Sequence, residues 1–233
     1  MKGFFVTGTD TGIGKTCVSA GLALVLGQAG FNTAAIKSLA AGQDFADGRW
    51  VNEDVALLRQ ASNLDLSDAE VCPLQLRTAC APHIAARLEG VAISREAILA
   101  AIRQVGGRAD VSIVEGVGGF RVPLVPGWDT ADLAVDLQLP VVLVVGMRLG
   151  CINHALLTAE ALRARGLHLA GWVANTMDPD MPYLADNLAA LADTTHGLQA
   201  PCWGLVPRLS PPTPAAVAAH LVQPLVLASF YAS

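Results

Sequence analysis

Aromatic side chains make up only 5% of this 233-residue sequence, and charged ones only 15%. So little charge beside 53% hydrophobic residues excludes a disordered chain and implies a core of small aliphatic side chains. There is no basic excess: the net charge is −5, so neither nucleic acid nor an anionic membrane surface is an expected partner. There is no CxxC pair. The five cysteines, Cys17, Cys72, Cys80, Cys151 and Cys202, are odd in number, which argues for reduced thiols and a cytoplasmic protein. Mean hydropathy is positive, +0.47. Yet "LPVVLVVGM" falls far short of the roughly 20 apolar residues a membrane span needs, and "CVSAGLALVLGQAGF" is broken by Ser19, Gln28 and glycines. The first residues turn polar at Thr7, so no secretory leader is expected. HExxH and GxSxG are missing, and His154 and His168 are too far apart to form a helical metal pair. Zinc and serine hydrolases are therefore unsupported.

What is present is alternation. "KGFFVTG", "NTAAIK", "ADVSIVEG", "LPVVLVVG", "HLAGWVAN" and "PCWGLVP" read as strands, with helical stretches between several of them. Near-continuous Val/Ile/Leu runs belong to strands covered on both faces. The expectation is an α/β fold of the P-loop NTPase type: a doubly wound, mostly parallel sheet with helices on both faces, in a single domain over residues 1–233. In such sheets ligands bind beyond the carboxyl ends of the strands.

The first strand runs into "GTDTGIGKT", an imperfect phosphate loop. Gly14-Lys15-Thr16 is in place, but the glycine expected five residues before Gly14 is Thr9, with Gly8 one residue too early. Gly12, Ile13 and Gly14 still allow close backbone approach to phosphate at a helix start. Lys15 would reach the terminal phosphates, and Thr16 would ligate Mg²⁺. Glu115 closes a buried-looking strand and is a candidate metal ligand; Gly116, Val117, Gly118 and Gly119 follow it. Lys37 closes another strand where the crevice should lie, which suggests a second anionic group near the γ-phosphate. Asp54, at a predicted helix start, reads equally as a first-turn acid or a ligand.

"FVTGTDTGIGKT", "AAIKSLAAG", "VNEDVALL", "APHIAA", "VEGVGG", "LGCINHALLTAEAL" and "LAGWVAN" together resemble the dethiobiotin synthetase family. The displaced glycine is that family's own pattern. The resemblance implies ATP- and Mg²⁺-dependent closure of 7,8-diaminononanoate with CO₂ to dethiobiotin, by a homodimer. It places Lys15 on the phosphates and Thr16, Asp54 and Glu115 around Mg²⁺. Lys37 would act on the carbamate and the transferring phosphoryl group, and Thr11 would lie near the substrate. Asn175, with Thr176 and with Pro207, Arg208 and Leu209 nearby, would hold the adenine. Gly150, Cys151, Ile152 and Asn153 would receive the substrate's carboxylate tail across the dimer interface. Ala41 stands where the family often has Ser, Gly12 where some members have Glu, and Asn187 where some have Tyr.

Three rival readings remain, one of them a non-catalytic binding module, which would not need both lysines and the carboxylates. A partition or cell-division ATPase would carry a second lysine at position 10, where this chain has Asp10, and often a basic or amphipathic tail. A cobyrinate-type amidating synthase would need a glutaminase domain for which the chain has no room.

Overall fold

The computed structural model describes residues 1–46 and 48–231; positions 47, 232 and 233 of the expected domain lie outside the described residues. Six parallel strands form the central sheet: β1 (Gly3–Gly8), β2 (Thr33–Lys37), β3 (Val111–Glu115), β4 (Val141–Met147), β5 (Leu169–Thr176) and β6 (Cys202–Val206). Their order is β6-β5-β4-β1-β3-β2. These are the six strands expected from the apolar runs, and β1 and β4 are buried along their whole length. Helices pack around the sheet and cover the faces that these runs cannot leave in water.

From β1 the chain crosses to the edge strand β2, returns to β3 between them, then passes over β1 to β4 and on through β5 to β6. The adjacent strands β1 and β3 thus send the chain in opposite directions, and the crevice at that switch lies beside the carboxyl end of β1, which opens into the imperfect phosphate loop. Helix α1 (Lys15–Gln28) follows that loop. Helix α2 (Glu53–Ala61) packs on α1 and β2. Helices α3 (Arg95–Gly106), α4 (Thr130–Leu137) and α5 (Cys151–Ala164) complete the layers used below.

The helix starts differ in kind. Asn52, Ser94 and Asp129 cap α2, α3 and α4 by accepting first-turn N–H groups through their side chains. Helices α1 and α5 instead start from Gly14 (φ 85°) and Gly150 (φ 94°), with no side-chain cap. Left-handed backbone of this kind suits glycine; neither helix start has a side-chain cap, though the Cys151 N–H at the head of α5 donates to the Arg148 carbonyl at 3.0 Å.

Small elements decorate the carboxyl edge of the sheet. The hairpin Asp44–Ala46/Arg49–Val51 carries an edge-to-face pair of exposed aromatics, Phe45 and Trp50, with Arg77 over the Trp50 ring. A second hairpin pairs Pro123–Val125 with Trp128–Asp129, and a two-residue parallel pair joins Ala40–Ala41 to Gln75–Leu76. Among the described residues no helix is long and apolar enough to cross a membrane. The five cysteines are free.

Candidate active site

Lys37 and Glu115 end adjacent parallel strands at paired register positions, so the sheet itself presents their side chains together. Lys37 Nζ lies 2.5 Å from Glu115 Oε1 and 2.8 Å from Asp54 Oδ2. Asp54 reaches the pair from the first turn of α2, whose start is fixed by the Asn52 cap. Asn52 also donates to the Gly42 carbonyl at 2.6 Å and so ties α2 to the segment after Ala41. Thr16, in the first turn of α1, donates its hydroxyl to Glu115 Oε1 at 2.9 Å.

These contacts set the protonation states. Burial pulls the Lys37 pKa down, but Glu115 and then Asp54 outweigh it and hold the ammonium above the ordinary lysine value. For Asp54 burial works against ionisation, and Lys37 overcomes it, so the carboxyl sits below the usual aspartate range. Lys15 is the opposite case. Burial, opposed by Glu115 and reinforced by the like charge of Lys37, lowers it to about 8. Its ammonium donates to the Asp10 main-chain carbonyl at 2.8 Å.

A cavity of about 310 Å³ opens over this cluster, lined by Thr11, Gly12, Gly14, Lys15, Thr16, Lys37, Ala41, Asp54, Glu115, Val117 and Gly118 among others. A second, about 190 Å³, shares Gly12, Gly14 and Cys17 with it and is lined by Asn175, Thr176, Pro207, Arg208 and Leu209. The phosphate-side and base-side residues expected from the sequence thus fall into two cavities that meet over the loop. Asn175 Nδ2 donates to the Ile13 carbonyl at 2.7 Å. A Cβ on Gly14 would come within 2.3 Å of that same nitrogen.

Not every expected residue lines these spaces. Ile13 is buried beneath the loop, and a Cβ on Gly116 would meet the Phe5 ring at 3.0 Å, so both serve packing. Gly150, Cys151, Ile152 and Asn153 lie outside both cavities, at the start of α5. Asn187 stands beside them, with Cys151 Sγ 3.9 Å from its Oδ1. Cys17, Ala40 and Asn52 line the first cavity without having been singled out from the sequence. For Asn52 a signal existed: an Asn three residues before Val55, at the head of an amphipathic stretch, is a helix cap.

The donor set suits Mg²⁺. Among the described residues no group of three or more His, Cys, Asp or Glu side chains is placed to hold a metal alone. Mg²⁺ asks for less: one or two carboxylates, with water and phosphate oxygens for the rest. Glu115 Oε2 is buried and, among the described residues, without a hydrogen-bond partner. It stands beside the Thr16 hydroxyl and the Asp54 carboxylate, so Thr16, Asp54 and Glu115 fit the ion.

A family model described as an AAA domain matches residues 2–216. The ATP-dependent dethiobiotin synthetase BioD of Janthinobacterium sp. (strain Marseille) is 55% identical over 221 residues, covering 93% of this chain and 92% of its own length. The protein of the same name from Aromatoleum aromaticum is 51% identical over 223 residues, covering 96% of this chain and 98% of its own. Among solved structures, the MinC:MinD cell division complex of Aquifex aeolicus aligns at a TM-score of 0.54 and 14% identity, over 100% of this chain and 95% of that one. The septum site-determining protein MinD of Pyrococcus horikoshii OT3, solved with Mg-ADP, aligns at 0.53 and 16%, over 96% and 94%. These two likenesses are of fold.

Proposed function

The chain belongs to the ATP-dependent dethiobiotin synthetase family, and from that premise we propose that it joins CO₂ to 7,8-diaminononanoate at the expense of ATP and closes the product to dethiobiotin. One amine and CO₂ form a carbamate, releasing a proton. A carbamate oxygen attacks the γ-phosphorus, and ADP leaves. The second amine then attacks the carbonyl carbon of the carbamic–phosphoric anhydride. It loses its proton as phosphate departs, and a cyclic urea remains.

The observation that carries this reading is the second buried lysine. A simple nucleotide hydrolase needs a cation on the phosphates, and Lys15 supplies it. Lys37, on the neighbouring side of the same cavity, is held charged by Glu115 and Asp54 and faces the space where a second anion would lie. A carbamate is such an anion, and because it is already charged its attack needs no general base. Phosphoryl transfer is then mainly positioning and charge neutralisation. The uncapped start of α1 offers N–H groups to the phosphates. Mg²⁺, held by Thr16, Asp54 and Glu115, would neutralise phosphate charge. Asn175, Thr176 and Pro207–Leu209 would enclose the adenine.

The tail of the substrate ends in a carboxylate, an apolar chain away from the reacting amines. The start of α5 is a second uncapped helix N-terminus and lies outside the Lys37 cavity. The reading therefore includes a homodimer in which Gly150–Asn153 of one protomer complete the site of its partner. The direct test is to mix the purified protein with diaminononanoate, bicarbonate and MgATP. Dethiobiotin in the mass spectrum, dependent on all components, is the expected result. ATP turnover that ignores the diamine overturns it.

A further inference from the structure

Asp10 holds three groups at once. Its Oδ1 accepts the Thr11 backbone N–H at 2.8 Å, its main-chain carbonyl accepts Lys15 Nζ at 2.8 Å, and its Oδ2 accepts from Arg148. Arg148 stands between the end of β4 and Gly150, at the joint that leads into α5. Below it, the Thr9 N–H donates to the Val144 carbonyl at 3.0 Å and extends the β1–β4 ladder to the base of the loop. The phosphate loop and the head of α5 are thus connected by one carboxylate.

The pair is badly placed to serve stability. Arg148 and Asp10 are 46% and 45% exposed at the side chain, and ion pairs so exposed contribute little. It is well placed to sense charge. Lys15, parked on the Asp10 carbonyl, must turn away to meet phosphate. Phosphate oxygens at the loop also bring negative charge toward the Asp10 carboxylate and offer Arg148 an alternative partner. Either change shifts what Arg148 does at the head of α5.

We propose that Asp10 and Arg148 are positioning residues that couple nucleotide occupancy of the phosphate loop to the substrate-tail site at the start of α5 of the same protomer, which serves the partner's site, so that nucleotide in one site and diamine in the other strengthen each other's binding. This rests on the function proposed above. Linkage makes the effect reciprocal, and couplings of this kind amount to about fivefold or more.

Calorimetry of the intact protein with MgADP and 7,8-diaminononanoate tests it, because no turnover occurs without ATP and CO₂. In the unmodified chain, saturating diamine should tighten MgADP about fivefold. Arg148→Ala and Asp10→Asn should bring that factor close to one, with an unchanged melting temperature and each ligand alone bound within about twofold of normal. Arg148→Lys, which keeps the charge, should restore the coupling. A factor unchanged in Arg148→Ala overturns the proposal and leaves the function standing. So does an unmodified chain that binds both ligands independently. An unmodified chain that binds MgADP but no diamine overturns the function and this coupling with it.

Discussion

Lys37 and Glu115 face each other from paired register positions on neighbouring strands, 2.5 Å apart, and the Glu115 side chain is fully buried. The site is therefore built on two hydrogen-bonded strands, the edge strand β2 and its neighbour β3, rather than on two loops. The pair also ties the site to folding, because removing Lys37 strands the buried Glu115 carboxylate, whereas Lys37 without Glu115 keeps Asp54 as its partner.

Lys37→Ala should abolish dethiobiotin formation and lower the melting temperature. Stranding a buried charge costs about 3–5 kcal/mol, on the order of 10 °C for a chain of this size. Lys37→Ala/Glu115→Gln should regain much of the stability and none of the activity. Thermal denaturation beside a product assay separates the two effects. If the single variant melts like the parent, the pair does not support the fold.

Lys15, lowered to about 8 chiefly by burial, gives the site a pH signature. A lysine depressed in the folded state is a cost at neutral pH, relieved as pH rises from about 8 toward the unfolded value. Nucleotide binding needs the charged form. Affinity for MgADP should therefore fall above about pH 8, by up to about tenfold per unit, with protons taken up on binding. Lys15→Arg should flatten the profile. Calorimetry in buffers of different ionisation enthalpy reads the protons directly, and a zero uptake at pH 8.5 speaks against the depressed value.

Asn175 has its amide oriented by chemistry: the Ile13 carbonyl can only accept, so the side-chain NH₂ faces it and Oδ1 is turned elsewhere. An acceptor in the base cavity matches the 6-amino group of adenine and opposes the 6-oxo group of guanine. ATP should be preferred to GTP by about tenfold or more in kcat/KM, since an unmatched polar contact costs about 1–3 kcal/mol. Asn175→Asp should weaken both nucleotides by setting a carboxylate against a carbonyl. Equal use of ATP and GTP would remove Asn175 from base recognition.

A mixed dimer tests the shared site. Lys37→Ala and a bulky substitution at Gly150, where φ is 94°, should each be inactive as dimers. Refolded together, they should regain product formation well above either parent, because one site per mixed dimer would draw Lys37 and the α5 start from unaltered chains. No recovery, with mixed dimers confirmed by native mass, would mean that each site lies within one chain.

The sheet was legible because buried parallel strands leave an unambiguous trace: six apolar runs, each ended by a polar residue, a glycine or, for the sixth, Pro207. Lys37 and Glu115 were legible for the same reason, as charges at the ends of such runs. What escaped was what depends on neighbours distant in sequence. Asp10 reads as a loop acid until Arg148, 138 residues away, is seen beside it. Ile13 and Gly116 belong to the motifs but face inward, a choice made by the packing of Phe5 and the sheet rather than by the pattern. The short hairpins near the site hold too few residues to show a period.

One hydrogen bond has a bearing on how this protein can change. The amide that faces the base cavity is also the strut beneath Gly14, donating to Ile13 while a Cβ at Gly14 would collide with it. A substitution that retuned the choice of base would loosen the turn that cradles phosphate. On the proposed assignment of Asn175 to the base, nucleotide preference and phosphate grip would be pleiotropic traits of one side chain. A lineage could not drift toward another nucleotide by single steps at Asn175 without first passing through a poorer enzyme.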